Sequence, residues 1–205
     1  MNIVIKNIEK KDYKKAILFA IKGMHFDWYF NDEISLTMYG KYFWYLEINK
    51  ATQILAAYVD NKFVGVLLAS MNNEPTLHSN IFEKAYVKFI DFLQTTFFKD
   101  SGGLYESTTQ KQLNHFLKSH KPDGEIVFLV ADKDAHIKGI GTALLNALEE
   151  KEKGKLIYLY TDDACNYGFY EHRGFIKNEE EQILLDTPKG DVVLNCYLYS
   201  KRIGY

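Results

Sequence analysis

A short stretch with two glycines, residues 136–142, has the residue types and spacing that suit a phosphate ligand. It reads His-Ile-Lys-Gly-Ile-Gly-Thr and separates an apolar run, residues 126–131, from a stretch whose apolar residues recur at helical spacing. Strand, loop and helix start are therefore predicted in that order. The free N–H groups and the positive dipole end of a helix start bind anions, and glycines let a ligand approach closely. We call residues 136–142 the glycine loop.

Two common phosphate-binding patterns do not fit the glycine loop. A P-loop requires Lys directly after its last glycine, whereas Thr142 follows Gly141. A dinucleotide-binding loop requires Gly or Ala three residues after Gly141, where Leu144 stands. A glycine pair that merely lets the following helix pack closely on a sheet is the structural alternative, so the surrounding sequence has to decide between packing and binding.

A second segment, residues 156–175, contains a candidate acid. An apolar run, residues 156–160, is followed by a short helical stretch and then by Tyr-Glu-His-Arg-Gly-Phe, which begins at Tyr170. A phenol with a pKa of about 10 can protonate a thiolate of similar basicity, and a positioned acid contributes roughly 10²- to 10⁴-fold to a rate. The structural alternative for Tyr170 is a core tyrosine.

Together the two segments resemble the GNAT acetyltransferases, whose acetyl-coenzyme A signature is an apolar strand followed by [QR]-x-x-G-x-[GA]. Residues 128–141 follow this pattern, with His136 where the family usually has Gln or Arg, and Asp132 where Pro is frequent. The segment that contains Tyr170 resembles the family's strand, short helix and Y-x-x-x-G-F. The resemblance covers residues 125–176, about a quarter of the chain.

The resemblance implies roles for individual residues. The coenzyme diphosphate would be bound by His136, Ile137, Lys138, Gly139, Ile140, Gly141 and Thr142. Backbone N–H groups near Leu129 and Val130 would stabilise negative charge on the thioester oxygen, and Tyr170 would protonate the departing sulfur. Asn166 would contact pantetheine or cap the short helix, because the family often has Asn nearby, at the position of Asp163.

The implied reaction moves an acetyl group from acetyl-coenzyme A directly to a primary amine of a small molecule or a peptide. The amine must lose a proton, so a base is expected among nearby acids, although each also suits a solvated loop charge. The candidates are Asp132, Asp134, Asp162 and Glu106. The alternatives are a non-catalytic GNAT-like module that binds or senses acyl-coenzyme A, which His136 favours, and an enzyme for longer acyl chains.

Aromatic residues are concentrated in the first half of the chain. Four of them, between the first predicted strand and the predicted hairpin, are Trp28, Tyr29, Phe30 and Trp44. In GNAT proteins this region borders the acceptor groove, so they could form an apolar or cation-accepting wall, and core packing explains them equally well. Asp27, Asp32 and Glu33 nearby suit a cationic acceptor such as a polyamine or an aminoglycoside.

The predicted elements indicate an α/β (α+β) fold. Strands are predicted at residues 3–8, 53–59, 63–69, 126–131, 156–160, 182–185 and 192–199. Helices are predicted at residues 12–23, within 24–50, at 75–120, 139–153 and 165–173. The resemblance implies a mixed, mostly antiparallel twisted sheet of about six to seven strands flanked by helices. Residues 1–205 are predicted to form one domain with a helical insertion at 75–120, hinged at Ser101-Gly102-Gly103.

Composition favours small-molecule partners. The 205 residues include 25 Lys and Arg against 27 Asp and Glu, and this balance gives no charged footprint for nucleic acid or anionic lipid. No apolar run approaches the roughly 20 residues of a membrane span and no secretory pattern is present, so a cytoplasmic protein is expected. The histidines form no H-x-x-x-H pair, so no metal is expected. Cys165 and Cys196 are expected to be reduced and not to act as nucleophiles, and a homodimer is compatible with the sequence.

Overall fold

Alternating and continuous apolar runs produce seven strands, and periodic segments produce six helices, in a computed structural model that describes residues 2–97 and 103–204. The strands are β1 (Val4–Lys6), β2 (Gln53–Val59), β3 (Lys62–Met71), β4 (Gly124–Ala131), β5 (Leu156–Asp162), β6 (Ile176–Leu185) and β7 (Val192–Arg202). The helices are α1 (Tyr13–Gly23), α2 (Glu33–Lys50), α3 (Ile81–Phe97), α4 (Gly103–Phe116), α5 (Ile140–Lys151) and α6 (Gly168–His172).

The strands form one sheet in the order β1-β2-β3-β4-β5-β7-β6. Every neighbouring pair is antiparallel except β4 and β5, which are parallel. The turn between β2 and β3 has positive φ angles at Asp60 (48°) and Asn61 (59°), a conformation that these residue types tolerate. Both the predicted hairpin and the predicted mixed, mostly antiparallel fold are thus confirmed.

Helices cover both faces of the sheet. On one face, α1 and α2 pack over β2, β3 and β4 around Trp44, which is fully buried and meets Tyr13 edge-on at 5.5 Å. On the other face, α5 packs its Leu144, Leu145 and Leu148 into a second core. Of the two explanations considered for Trp44, core packing is therefore correct, and this residue is not part of an acceptor wall.

The predicted helical insertion forms α3 and α4. Helix α3 packs on α2, whereas α4 lies over β6 and β7, where the Gln112 side chain donates a hydrogen bond to the Cys196 carbonyl at 2.8 Å. On the face of the sheet that carries α1 and α2, helix α4 therefore covers the half that these two helices leave open. Of the predicted hinge, Ser101 and Gly102 lie outside the described residues, and Gly103 begins α4.

Several predicted boundaries differ from the structure by a few residues, among them those of β6 and α6. Strand β6 begins at Ile176, six residues earlier than predicted. The prediction missed this part of the strand because residues 177–181 are charged or polar and show no apolar alternation. This strand lies at the edge of the sheet, where charged side chains are common. The helix predicted at 165–173 is only five residues long, Gly168–His172, because residues before it form a turn.

Candidate active site

A gap opens between the two parallel strands of the sheet. Strands β4 and β5 pair only at Gly124 with Ile157 and at Glu125 with Tyr158, and then separate. Strand β4 has a β-bulge just beyond these pairs, because Ile126 faces Ala69 while Phe128 faces Leu68. A bulge bends its strand and strengthens the local twist, so this one accounts for the departure of β4 from β5. The two strands do not pair again before the glycine loop, which follows β4, and we call this end the wide end of the gap.

Backbone groups of β4 line this gap. The Asp132 N–H donates to the Val64 carbonyl at 2.8 Å, on the β3 side. Since an antiparallel strand directs its hydrogen-bonding groups to alternate sides, Val130 also points toward β3, and Leu129 and Ala131 point into the gap. Of the two residues predicted to stabilise the thioester oxygen, the strand register therefore favours Leu129.

The glycine loop presents a row of unpaired backbone donors. His136 and Gly139 both have positive φ angles, 50° and 84°, and Gly139 caps α5. The first backbone hydrogen bond of α5 runs from the Ala143 N–H to the Gly139 carbonyl at 2.9 Å. Within residues 2–97 and 103–204, none of the six N–H groups of residues 137–142 donates a hydrogen bond. Six consecutive free donors at a helix start are suited to a diphosphate.

The glycines of this loop do different things. A Cβ atom at Gly139 would meet no atom within 4 Å, so the space in front of this residue is free for a ligand. A Cβ at Gly141 would lie 3.4 Å from the ring of Phe169, an ordinary contact distance, so α6 lies directly beside the start of α5. The side chains of His136 and Lys138 are exposed, whereas that of Ile140 is buried and leaves only its backbone N–H for binding.

Tyr170 is held in α6 with a free hydroxyl. Its ring packs edge-on against Phe169 at 5.3 Å and Phe175 at 5.6 Å, and its carbonyl accepts from the Phe175 N–H at 3.0 Å. No hydrogen bond to its hydroxyl is found in the described part of the chain. Burial, and next the charge of a Cys165 thiolate, raise the pKa of Tyr170, so the phenol stays protonated and can act as an acid.

Helix α6 is anchored to the sheet next to Tyr170. The Tyr199 hydroxyl, on β7, donates to the Glu171 carboxylate at 2.7 Å.

Two residues lie just before α6. Burial, and next the Asp162 carboxylate, raise the pKa of Cys165 to about 12, which suits an inert thiol. The Asn166 side chain is exposed, and α6 has no side-chain cap, so the capping role predicted for Asn166 is wrong. Its predicted pantetheine contact stays a prediction.

A carboxylate that the sequence did not single out lies where β4 and β5 begin to separate. Glu125 accepts a hydrogen bond from the Tyr158 hydroxyl at 3.0 Å. Burial raises the pKa of Glu125 to about 7, and the nearby Glu47 carboxylate adds to this effect, against the Tyr158 hydrogen bond and the charge of Lys50. A carboxylate with a pKa near neutrality suits a general base. The signal in the sequence is a lone acid directly before the apolar run 126–131.

The four predicted bases have other partners or other surroundings. Asp132 pairs with Lys15 at 2.6 Å, and although burial raises its pKa, the Lys15 hydrogen bond and charge lower it below its usual range overall. Asp134 is exposed and lies 3.2 Å from Lys22. Asp162 is partly buried, which raises its pKa, and its carboxylate accepts from two backbone N–H groups in the turn after β5. Glu106 is exposed on α4.

Aromatic side chains lie near Asp162, at the wide end of the gap, on the side of α4. Trp28, Tyr29 and Tyr105 pack against an apolar cluster at the tips of β6 and β7. His25 stacks on Trp28 at 4.6 Å, and Phe30 lies 5.1 Å from Tyr39. These residues are half-buried, in contrast to Trp44. Of the nearby acids, Asp32 caps α2 through the Ser35 N–H at 2.8 Å, Asp27 lies 3.8 Å from Lys189, and Glu33 is exposed.

Two further observations concern metal sites and membrane-spanning helices. In the described parts of the chain, His, Cys, Asp and Glu side chains do not gather in threes or more into a group that could hold a metal ion. None of the helices that the structure describes combines the length and apolar composition needed to cross a membrane.

The sheet is split between two parallel strands, and a helix start with free donors lies next to the split. This arrangement indicates an acetyltransferase, and comparison of the sequence with protein-family models supports this class. The sequence model for the Acetyltransferase (GNAT) family matches residues 19–175. The chain therefore belongs to the GNAT family of acetyltransferases, as the resemblance implied. No curated protein sequence matches the chain at a significant level.

Solved structures similar to the chain share its fold at low sequence identity. One, a histone acetyltransferase HPA2 and related acetyltransferase from Corynebacterium glutamicum, is 15% identical over 100% of this chain and 98% of its own, with a TM-score of 0.62. The ribosomal-protein-S18-alanine N-acetyltransferase from Escherichia coli is 11% identical over 100% and 96%, with a TM-score of 0.52. The PaiA N-acetyltransferase from Thermoplasma acidophilum, in complex with coenzyme A, is 16% identical over 98% and 99%, with a TM-score of 0.51.

Proposed function

We propose that residues 1–205 act as a single domain that transfers an acetyl group from acetyl-coenzyme A to a primary amine of a small molecule or a peptide. The observation that carries this proposal is the row of six free N–H groups at residues 137–142, directly after the strand that borders the gap. A diphosphate satisfies such donors, and the free space in front of Gly139 accommodates it. A pantetheine arm is long and narrow, and the gap between β4 and β5 suits it.

The chain's own residues supply three functions to the reaction. The bound acetyl-coenzyme A provides the thioester that the amine attacks. The Leu129 N–H, which points into the gap, stabilises the negative charge that develops on the acyl oxygen. Glu125 accepts the proton that the amine loses as the C–N bond forms, and Tyr170 gives its proton to sulfur as the C–S bond breaks. Exchange with water then returns both side chains to their starting protonation states.

The side chains at the wide end of the gap support an amine as the acceptor. Trp28, Tyr29 and Tyr105 form an aromatic wall there, and the partly buried Asp162 carboxylate follows β5 at the same end. Aromatic faces and carboxylates attract an ammonium group, which releases one proton to water before the neutral amine attacks. The names of two structural relatives record N-acetylation, one of an alanine of ribosomal protein S18, and are consistent with an amine acceptor.

The proposal is tested first by coenzyme binding. Thr142 occupies the third position of α5, and a Glu there favours a helix start but repels a diphosphate. Isothermal titration of Thr142→Glu with coenzyme A should show at least a tenfold loss of affinity, about 1.4 kcal/mol. Ser35→Glu, at the third position of α2, is the matched control and should bind coenzyme A like the wild type.

Turnover separates the enzyme from the alternative function. A non-catalytic acyl-coenzyme A sensor would bind the coenzyme but release no thiol from acetyl-coenzyme A with any member of a panel of monoamines, polyamines, aminoglycosides and peptides. Thiol release that depends on one of these amines supports the enzyme. Unchanged affinity in Thr142→Glu would exclude the glycine loop as the diphosphate site.

A further inference from the structure

Helix α3 has two apolar faces, of which the described part of the chain covers only one. The inner face carries Val87 and Ile90, both buried, and Glu83, whose carboxylate accepts from the Asn49 side chain of α2 at 2.8 Å. The outer face carries Ile81, Phe82, Ala85 and Phe89, which recur at spacings of three, four and seven residues and therefore lie on one side of the helix. We call these four residues the outer stripe.

The outer stripe is unusually exposed for its composition. Phe82 is 83% exposed, Ile81 77% and Phe89 55%. Among the described residues, neither phenylalanine ring pairs with another ring. A surface helix normally turns its polar side to water, so a helix that is apolar on two opposite sides is expected to be covered on both. Helix α3 lies outside α2, which in turn lies on the sheet, so the rest of the described chain does not cover the stripe.

The size of the outer stripe matches the apolar part of a dimer interface. A phenylalanine side chain buries roughly 200 Å², so the exposed parts of Phe82, Phe89 and Ile81 together offer about 400 Å² of apolar surface. A standard interface hides about 800 Å² on each partner, and a little over half of that area is apolar. One stripe therefore supplies nearly all the apolar area that a partner of equal size requires.

We propose that the outer stripe is an interface between two copies of this chain, related by a two-fold axis that passes near Ala85. At that point the small side chain of Ala85 lets the two helices approach closely. Phe82 lies three residues before Ala85 and Phe89 four residues after it, so in an antiparallel crossing each Phe82 packs against the Phe89 of the other copy. The stripe is thus complementary to itself, as a two-fold interface requires.

The dimer is independent of the acetyl-transfer site. The outer stripe points away from α2 and the sheet, whereas Glu125 lies on β4 beneath α2, and Tyr170 and the glycine loop lie on the opposite face of the sheet. The interface therefore occupies neither the gap between β4 and β5 nor its wide end. Failure of the dimer proposal leaves the proposed function standing, and the reverse is also true.

Sedimentation equilibrium of the purified full chain tests the proposal. Between about 1 µM and about 1 mM, the wild type should approach twice the 23.8 kDa mass of one chain, whereas the double variant Phe82→Glu, Phe89→Glu should stay at the mass of one chain. The matched control is Leu18→Glu on α1, because Leu18 is 55% exposed, like Phe89, and lies on a different helix. This control should form dimers like the wild type.

Circular dichroism shows that each variant is folded, and amine-dependent thiol release should be the same in all of them per active site. A wild type that remains at the mass of one chain at every concentration would overturn the proposal. A double variant that still forms dimers would also overturn it. So would binding of the wild type to vesicles that contain anionic lipid, if the free protein does not self-associate.

Discussion

Burial acts in the same direction on two residues to which the proposed reaction gives opposite tasks. It raises the pKa of Tyr170, which keeps a proton donor protonated. It also raises the pKa of Glu125 to about 7, which makes that carboxylate a stronger base without keeping it protonated at physiological pH. One physical cause, the exclusion of water from each side chain, thus suits both residues to their proposed tasks.

Replacing Tyr170 by Phe should lower kcat by about 10²-fold and leave the affinity for acetyl-coenzyme A unchanged. The ring and its contacts with Phe169 and Phe175 are kept, so only the proton donor is lost. Thiol release under saturating acetyl-coenzyme A measures kcat, and isothermal titration measures affinity. Equal turnover in Tyr170→Phe and the wild type would show that this hydroxyl is not the acid.

The pH dependence of kcat/KM should report Glu125. In the wild type, the pH profile of kcat/KM should contain a rising limb at about pH 7, because the base acts in its deprotonated form. Glu125→Gln should lower kcat/KM by about 10²-fold and remove that limb. Glu47→Gln is the control, since loss of its negative charge should move the limb to lower pH and keep the activity. A limb near 7 that persists in Glu125→Gln would assign it to another group.

The sequence suggests Tyr170 but not Glu125 as a site residue, for a physical reason. The role proposed for Tyr170 is suggested by residues near it in the chain, Gly174-Phe175. The environment of Glu125 comes from Tyr158, 33 residues later, and from Glu47 on another element. A lone acid before an apolar run does not reveal such neighbours, because desolvation depends on tertiary packing.

At the scale of elements, α5 is positioned by a close approach to β3. A Cβ atom at Gly65 would lie 2.7 Å from Ile140 and 2.8 Å from the Val130 carbonyl oxygen. A glycine on β3 therefore allows the start of α5, and with it the free donors of residues 137–142, to lie against the sheet. The position of the anion-binding groups thus depends on a residue of the hairpin, about 70 residues earlier in the sequence.

Gly65→Ala should destabilise the protein by about 1–3 kcal/mol, because backbone as well as side-chain atoms would have to move. It should also weaken coenzyme A binding, since the start of α5 is displaced. Gly103→Ala is the matched control, because a Cβ there meets no atom within 4 Å, and it should be nearly neutral. Urea unfolding measures the first effect and isothermal titration the second. A neutral Gly65→Ala would show that the contact with α5 relaxes freely.

Element prediction succeeded where the signal was local. The hairpin through Asp60 and Asn61 follows from turn chemistry, and the helical insertion follows from apolar periodicity. The gap between β4 and β5 depends on which residues of two distant strands face each other, and the charged start of β6 depends on its place at the edge of the sheet. Periodicity within one segment carries neither kind of information.

For the whole molecule, the raised pKa of Glu125 predicts a fall in stability as pH rises. Its pKa is about 7 in the folded chain and 4.5 in the unfolded chain, so between these values the folded state binds more protons. The contribution is fully present below pH 4.5 and is lost as pH rises through 7. Between pH 5 and 8, wild type should lose about 2 kcal/mol of unfolding free energy more than Glu125→Gln.

Urea unfolding at the two pH values, followed by circular dichroism, measures this difference. Glu47 and Asp162 also have raised pKa values and give slopes of the same sign, so both proteins should lose stability and only the difference is assigned to Glu125. Parallel losses in the two proteins would mean that Glu125 titrates in the folded chain as it does in the unfolded chain.

The short pairing of β4 with β5 divides the sheet into two parts. Strands β1 to β4 and α5 form one plate, which contains the proposed diphosphate site, and strands β5 to β7 with α4 and α6 form a second plate, which contains the proposed acid and Tyr105 of the aromatic wall. Only two residue pairs join the plates along this line. Under the proposed function, substitutions in the aromatic wall can change acceptor choice without touching residues 137–142, and a coenzyme that fills the gap contacts both plates and links them.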